Sequence, residues 1–278
     1  MSGPGRAAPR RPKRRTDADP QITSEQRRRA LGGSFSVQGR SEAEAYDALR
    51  PRYPEAAVAE ILRGARRPLA ADLGAGTGIL ARQMLAAGAS VTAVEPSASM
   101  TSVLAESAAP VTVVNAPAEE TGLPSGEYDV VTAAQAWHWF DPQRAQAEAQ
   151  RLLKPGGRLA LIWNYIDTSD DVAHRLTRIM RAGDVFRPGW RPALDPGRFG
   201  PPATTEWRWS RSLTVSQVFG YATTLSSWLS AEEGERARRR RNLCDYLGGE
   251  LGLTDEDAVE IPMITGLHVA QGRPVQYS

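Results

Sequence analysis

Asp72, Gly74, Gly76, Gly78 and Glu95 are the residues of this chain whose types and spacing specify chemistry. Leu69, Ala70, Ala71 and Leu73 make a short apolar run that stops at the glycines, the pattern of a buried strand turning sharply. Ile79, Leu80, Met84 and Leu85 then recur at helical spacing, so the glycines fall between a strand and a helix N-terminus. At such a junction backbone N–H groups face a ligand, and the missing Cβ atoms let it come close. A second apolar run, Ser90 to Val94, delivers Glu95 about where a doubly wound fold sets a carboxylate against ribose hydroxyls. The pattern is that of a site for a ribose-bearing cofactor.

Two departures narrow the choice. The dinucleotide print is G-x-G-x-x-G, whereas Gly74-Ala75-Gly76-Thr77-Gly78 brings its third glycine one residue early and leaves Ile79 in the required place. Asp72 also puts a carboxylate just ahead of the turn, where it would repel a pyrophosphate and attract an ammonium, directly or through water. A cofactor with an amino-acid end and an adenosine end fits better than NAD.

With these residues in place, the chain resembles the class I S-adenosylmethionine-dependent methyltransferases over roughly residues 35 to 165. Asp72 to Gly78 is similar to that family's first motif and Val94-Glu95-Pro96-Ser97 to its second. Asn115-Ala-Pro-Ala118-Glu119 with Leu123-Pro124 resembles the segment that lines the adenine, and Tyr128 to Asp141 the fourth strand with the Q-A-x-H-W-F-D ending of a small-molecule branch. Leu153 to Gly157, with the run to Asn164, resembles the turn and fifth strand, and Tyr46 to Pro54 the Y-x-x-x-R-P-x-Y-P entrance segment of the same branch.

The resemblance implies a Rossmann-like α/β fold, with a mostly parallel seven-stranded sheet, helices on both faces and a small helical cap. It implies S-adenosylmethionine as cofactor and S-adenosylhomocysteine as product. Gly74, Ala75, Gly76, Thr77 and Gly78 would cradle the methionine and ribose part, with Asp72 on the ammonium side and Glu95 on the ribose diol. Pro96, Met100, Ala118 and Glu119 would lie along the nucleoside, and Gln135 and Ala136 at the end of the fourth strand. Tyr46, Arg50 and Tyr53 would cover the cofactor, with Arg50 on its carboxylate. Trp137, His138, Trp139 and Asn164 would meet the acceptor. Many relatives place an acid just before the Ala118-Glu119 pair to accept from the adenine amino group; here it is Pro117, so that contact falls to backbone or a neighbour.

The elements that must position these groups can be read coarsely. Residues 41 to 63 look helical, broken by Pro51 and Pro54, and strand and helix patterns then alternate to residue 163, as in a parallel sheet wrapped by helices. Residues 183 to 205, rich in Pro, Gly and Arg, read as a loop or lid. Thr205 to Leu213 alternates like a strand, Thr214 to Trp228 and Glu232 to Gly248 look helical, and Ile261 to Ala270 reads as a last strand. This divides the chain into a basic arm (1–33), entrance helices (34–66), a cofactor-binding core (67–165), a lid or cap (166–230) and a C-terminal helix and strand completing the sheet (231–278).

Charge and composition set limits. Residues 1 to 29 carry nine Arg or Lys against three Asp or Glu, +6, which leaves −4 for the rest of a chain whose total is +2. The arm has too few apolar residues to offset its ordering entropy by packing, so it is expected to be a disordered solubilising segment, and nucleic acid is not the expected partner. Arg236 and Arg238 to Arg241 read as a solvated helix face. Cys244 is the only cysteine, so no intramolecular disulfide forms, and no 18-residue apolar run or signal-peptide core is seen. The expectation is a cytoplasmic protein without a membrane anchor, monomeric or homodimeric.

Displacement at a sulfonium methyl needs positioning and dryness more than activation. No metal is expected, since His138, His174 and His268 are the only histidines and no Cys/His pair has ligand spacing. His138, after a strand whose carboxyl end points at the ligand crevice, is the candidate base, with a structural place between Trp137 and Trp139 as the alternative. Trp137, Tyr53 or Phe35 would supply a cation–π face to the sulfonium, whereas Trp207, Trp209 and Trp228 are expected in the core. Gly156-Gly157 reads as a turn into the next strand. Three functions stay open: methylation of a small molecule, favoured here; methylation of nucleic acid or protein; and cyclisation or another non-methyl-transfer reaction on the same fold.

Overall fold

A computed structural model describes residues 39–274, apart from 65, 108 and 184. The basic arm and Phe35 lie outside the described residues. Two short helices, α1 (Arg40–Leu49) and α2 (Glu55–Ile61), lead into the sheet. They are separated by Pro51 and Pro54, which cannot donate to a helix ladder.

The core then alternates as expected: β1 (Leu69–Leu73), α3 (Ile79–Ala86), β2 (Ser90–Val94), α4 (Ala98–Glu106), β3 (Thr112–Val114), β4 (Tyr128–Ala134), α5 (Pro142–Leu152) and β5 (Leu153–Ile166). After it come α6 (Asp171–Met180), β6 (Ala203–Thr214), α7 (Val215–Thr223), α8 (Ser226–Leu229), α9 (Glu233–Cys244), a π-helical turn (Asp245–Glu250) and β7 (Ala258–Gln271). The seven strands stand in the order β3-β2-β1-β4-β5-β7-β6, parallel except that β7 runs antiparallel to both β5 and β6. This is the Rossmann-like fold, and the order reverses beside β1, between β2 and β4, where such folds open a ligand crevice.

Burial follows the period-two alternation of the strands. Ala70, Val91, Ala93, Val130, Ala160 and Ile162 pack under α2 and α3, while Ala71, Leu73, Val94, Val131, Leu159 and Leu161 pack on the other face under α5. A third apolar cluster joins α6 to α9 with the distal ends of β5, β6 and β7, through Ile166, Leu176, Leu213, Val218, Leu243 and Ile261.

Two readings change, those of Gly156-Gly157 and of the α9 arginines. Gly156-Gly157 makes no separate turn. Strand β5 runs through it as a bulge: Tyr128 faces Leu153 and Val130 already faces Arg158, with Gly156 at φ +83° absorbing the extra residues. The segment after residue 166 holds a helix, α6, started by the Asp170 side chain accepting from the Ala173 amide. The arginine cluster of α9 is not a solvated face throughout: Arg239 is buried, donating to Glu235 and the Ser227 carbonyl, and Arg236 donates to the Trp228 and Leu229 carbonyls. Trp228 is buried, and Trp207 and Trp209 pack against the core. No described helix is long and apolar enough to cross a membrane.

Candidate active site

The loop after β1 is tied to the end of β2. The Gly74 and Ala75 amides both donate to the Val94 carbonyl, at 2.8 and 3.1 Å, and the Gly78 amide to the Ala75 carbonyl at 2.9 Å. Gly74, Gly76 and Gly78 all take positive φ, +65°, +58° and +83°. A Cβ on Gly74 would sit 2.8 Å from Ala136 and 2.9 Å from Phe140, and one on Gly78 only 2.4 Å from Leu104. Gly76 differs, because nothing lies within 4 Å of where its Cβ would be. Two glycines are therefore required by the protein's own packing, and the middle one faces open space.

Glu95 meets that middle glycine. Its Oε2 accepts from the Gly76 amide at 3.0 Å and its Oε1 from the Ser97 amide at 2.9 Å. Burial pushes the carboxyl above its ordinary value, and the two amides pull it partly back. Two amides leave accepting capacity on the carboxylate for further donors.

Asp72 lies beneath the loop, fully buried. Oδ1 accepts from Thr132 Oγ1 at 2.7 Å, and Oδ2 has no hydrogen-bond partner. Burial pushes its carboxyl up to about 7, with Thr132 opposing and the nearby Glu95 charge adding. Thr77, also buried, has an Oγ1 without a partner.

A narrow cleft is lined by Gly74 to Thr77, Ala134 and Gln135 on the sheet side and by Tyr46, Arg50, Pro51 and Tyr53 on the entrance side. The entrance segment is fastened over it. Gln83 exchanges two hydrogen bonds with the Tyr53 backbone, and Arg82 joins Asp47 of α1 to the Thr77 carbonyl. The Arg50 guanidinium stands 5.0 Å from the Tyr46 ring centroid.

The expected site residues divide by place. Tyr46, Arg50, Tyr53, Gly74, Ala75, Gly76, Thr77 and Gln135 share the cleft, and Gly78 and Glu95 complete its loop. Met100, Ala118, Ala136 and Trp137 are buried packing residues, and Pro96 is exposed beside Glu95. Glu119 accepts from the Asp141 amide at 2.7 Å, bracing the start of α5.

Asn164 is a correction. It is 1% exposed; its Nδ2 donates to the Pro51 and Arg52 carbonyls, and its Oδ1 accepts from Thr265 Oγ1 at 2.5 Å. These bonds tie the entrance segment to β5 and β7 and leave no donor for an acceptor molecule. Gln135 is in a left-handed conformation, φ +55°, and its side-chain amide pairs with the Asn164 backbone in both directions. A non-glycine residue held there stores strain at the cleft wall.

His138 and Trp139 lie on the short 3₁₀ turn Trp137–Trp139, with ring centroids 4.3 Å apart, and neither lines the cleft. His138 Nδ1 accepts from Trp163 Nε1 at 3.4 Å. In the neutral ring that bond places the proton on Nε2, which then donates instead of abstracting. The geometry does not give His138 the free lone pair a base needs. His268 is pushed down to about 4 by burial and then by Arg191, and its Nδ1 meets Thr204 Oγ1. Among the described residues, no three His, Cys, Asp or Glu side chains gather as a metal site.

Sequence reasoning missed Asp47, Arg82 and Gln83, which fasten the cleft, and Arg211 and Tyr221 on its far side. A signal existed for Arg211: the alternation Trp207, Trp209, Arg211, Leu213 puts it on the inward face of β6.

Fold and loop together define a Rossmann-like α/β protein, and comparison with known proteins gives the class. Residues 71–161 match the methyltransferase domain family. An uncharacterized methyltransferase of Mycobacterium tuberculosis is 32% identical over 242 residues, covering 86% of this chain and 95% of that protein. An uncharacterized methyltransferase-like protein of Schizosaccharomyces pombe is 28% identical over 205 residues, covering 69% and 79%. A solved structure from Anaeromyxobacter dehalogenans, described as a candidate type II methyltransferase, aligns with 81% of this chain and 97% of its own at TM-score 0.56 and 27% identity. The chain belongs to the class I methyltransferase family.

Proposed function

We propose that this methyltransferase takes its methyl group from S-adenosylmethionine and places it on a small-molecule acceptor. The observation that carries the reading is Glu95, a half-buried carboxylate bonded to the amide of the one loop glycine that faces open space. When bound, the cofactor supplies an electrophilic methyl group on a sulfonium leaving group. Glu95 would accept from the ribose hydroxyls and the loop from Gly74 to Thr77 would follow the methionine part. Asp72, beneath the loop, lies on the ammonium side, where an arriving cation would favour release of the proton that burial holds on its carboxyl. Tyr46, Arg50 and Tyr53 would exclude water and cover the amino-acid end.

The cleft holds about 40 Å³, room for a few waters. The entrance segment that covers it is held by Gln83 and Arg82. A small acceptor suits a site walled by one short helix pair, and the small-molecule branch motifs point the same way.

The test is calorimetric titration of the full chain with S-adenosylmethionine, S-adenosylhomocysteine and NADH, repeated on Glu95→Ala. Binding of the first two, weakened at least tenfold in the variant, with none of NADH, is the expected result. Absence of binding to either would reject the reading.

A further inference from the structure

Beyond the cleft, the inward face of β6 carries a half-buried guanidinium that no carboxylate pairs with among the described residues. Arg211 pairs through its backbone with Ile261 of β7, and its side chain lies 5.3 Å from the ring centroid of Tyr221 on α7. Arg50, which lines the cleft, stands 5.8 Å from the same ring. Tyr221 itself is buried, and α7 comes close to α1 because Gly220 leaves room for Leu49. Arg211 Nη1 is out of solvent and makes no hydrogen bond. The ionisable groups facing it are Arg50, a like charge, and the neutral Tyr221 phenol, and no carboxylate pairs with it among the described residues.

A chain does not keep a half-buried cation, with one of its nitrogens out of solvent, beside another cation without cost. An arginine is also the side chain least able to escape by losing its proton, so the burden persists at every working pH. The economical explanation is a ligand anion that arrives with the substrate. The planar fork suits two oxygens of a carboxylate or phosphate ester, and the Tyr221 ring gives the guanidinium a face to stack on.

We infer that the methyl acceptor is a small organic anion whose charged group docks on Arg211, with Arg50 of the cleft wall beside it and Tyr221 beneath. This rests on the methyl-transfer reading above and assigns its substrate class. Arg211 is then a specificity residue that fixes which end of the acceptor faces the cleft.

The test uses the full chain saturated with S-adenosylhomocysteine. It is titrated with 4-hydroxybenzoate, cinnamate, tricarballylate and phenyl phosphate, each against a neutral counterpart: the amides of the three acids, and phenol. The expected result is that at least one anion outbinds its neutral partner, that Arg211→Met weakens it about ten- to hundredfold, and that Arg211→Lys falls between. Carboxylate and phosphate arms separate the two sources of the anion. Arg211→Met removes a half-buried, unpaired charge, so it should fold with an unchanged or higher Tm and unchanged S-adenosylhomocysteine affinity. If no anion outbinds its neutral partner, or the Met variant binds anions as the wild type does, the inference is overturned. The anion titrations are repeated without S-adenosylhomocysteine, so failure of the wild type to bind that compound would reject the cofactor reading and leave the role of Arg211 separately readable.

Discussion

Replacing Asp72 by Asn should change how stability depends on pH more than it changes stability at any one pH. The Asp72 carboxyl, fully buried with Oδ2 unpartnered, is raised from an ordinary 3.8 to about 7, chiefly by burial. The native state therefore holds a proton that the unfolded chain has released across that window. Stability from this group is greatest below pH 4, declines as pH rises, and levels off above 7. About three pH units at 1.36 kcal/mol each gives roughly 4 kcal/mol in total. Asn cannot ionise, so the stability of Asp72→Asn minus that of wild type should climb by that amount between pH 4 and 7 and then stay flat.

The level of that difference also carries a constant. The new Nδ2 occupies the place of the unpartnered Oδ2 and lacks an acceptor, which costs about 1–3 kcal/mol at every pH. Subtraction removes the groups that titrate alike in both proteins, including the carboxyls of Glu148, Asp167 and Asp257, which are lowered and contribute the opposite slope. Glu95, raised in the same direction, keeps its own share of the slope in the variant. Urea unfolding at pH 4.5, 5.5, 6.5 and 7.5 measures the difference. A difference constant within about 1 kcal/mol over that range would refute the claim that Asp72 is protonated near neutrality.

The loop glycines should separate structure from binding. Gly78→Ala drives a Cβ into Leu104 at a positive φ and should cost about 1–3 kcal/mol in a melting experiment, whereas Gly76→Ala, with open space, should cost less than that and lose more S-adenosylhomocysteine affinity. Equal melting losses would contradict this contrast. Asn164→Leu leaves the Pro51 and Arg52 carbonyls and the Thr265 hydroxyl short of partners, so about 2–4 kcal/mol of stability should go, with faster amide exchange in residues 50–54; exchange confined to β5 would show that the entrance segment is held by something else. His138→Ala should keep the shape of the wild-type pH–rate profile, because Nδ1 is occupied by Trp163; loss of an ionisation from that profile would restore His138 as a base.

Much of the fold was legible because the α/β alternation between Leu69 and Ile166 writes itself in strict apolar periods, with the glycines marking the first turn. Legibility ended where local pattern and tertiary role part. Gly156-Gly157 has turn composition, yet pairing on both sides draws it into a strand as a bulge. Asn164 stands at a strand end, where ligand contact is a fair expectation, but its amide is consumed by backbone from a segment more than a hundred residues earlier. Nothing in a linear sequence announces that pairing. The surroundings of His138 are hidden for the same reason, since its tautomer depends on Trp163 from a neighbouring strand. Arg211 shows the converse, an inward position visible in the alternation whose electrostatic isolation appears only when α1 and α7 come together over it.

The antiparallel strand β7 has a consequence for how the chain is made. It follows β6 in sequence, yet it sits between β5 and β6. On a ribosome, β1 to β5 can assemble as they emerge, but β6 has no edge to join until residues 258–271 are free. Through that interval β5 presents an unpaired row of backbone donors and acceptors flanked by Leu161, Ile162 and Trp163, a surface that invites pairing with other chains. Closure of the sheet waits on these long-range contacts, the slowest kind to form. Chains released before residue 258 are expected to accumulate as aggregates, and those released after 271 to fold.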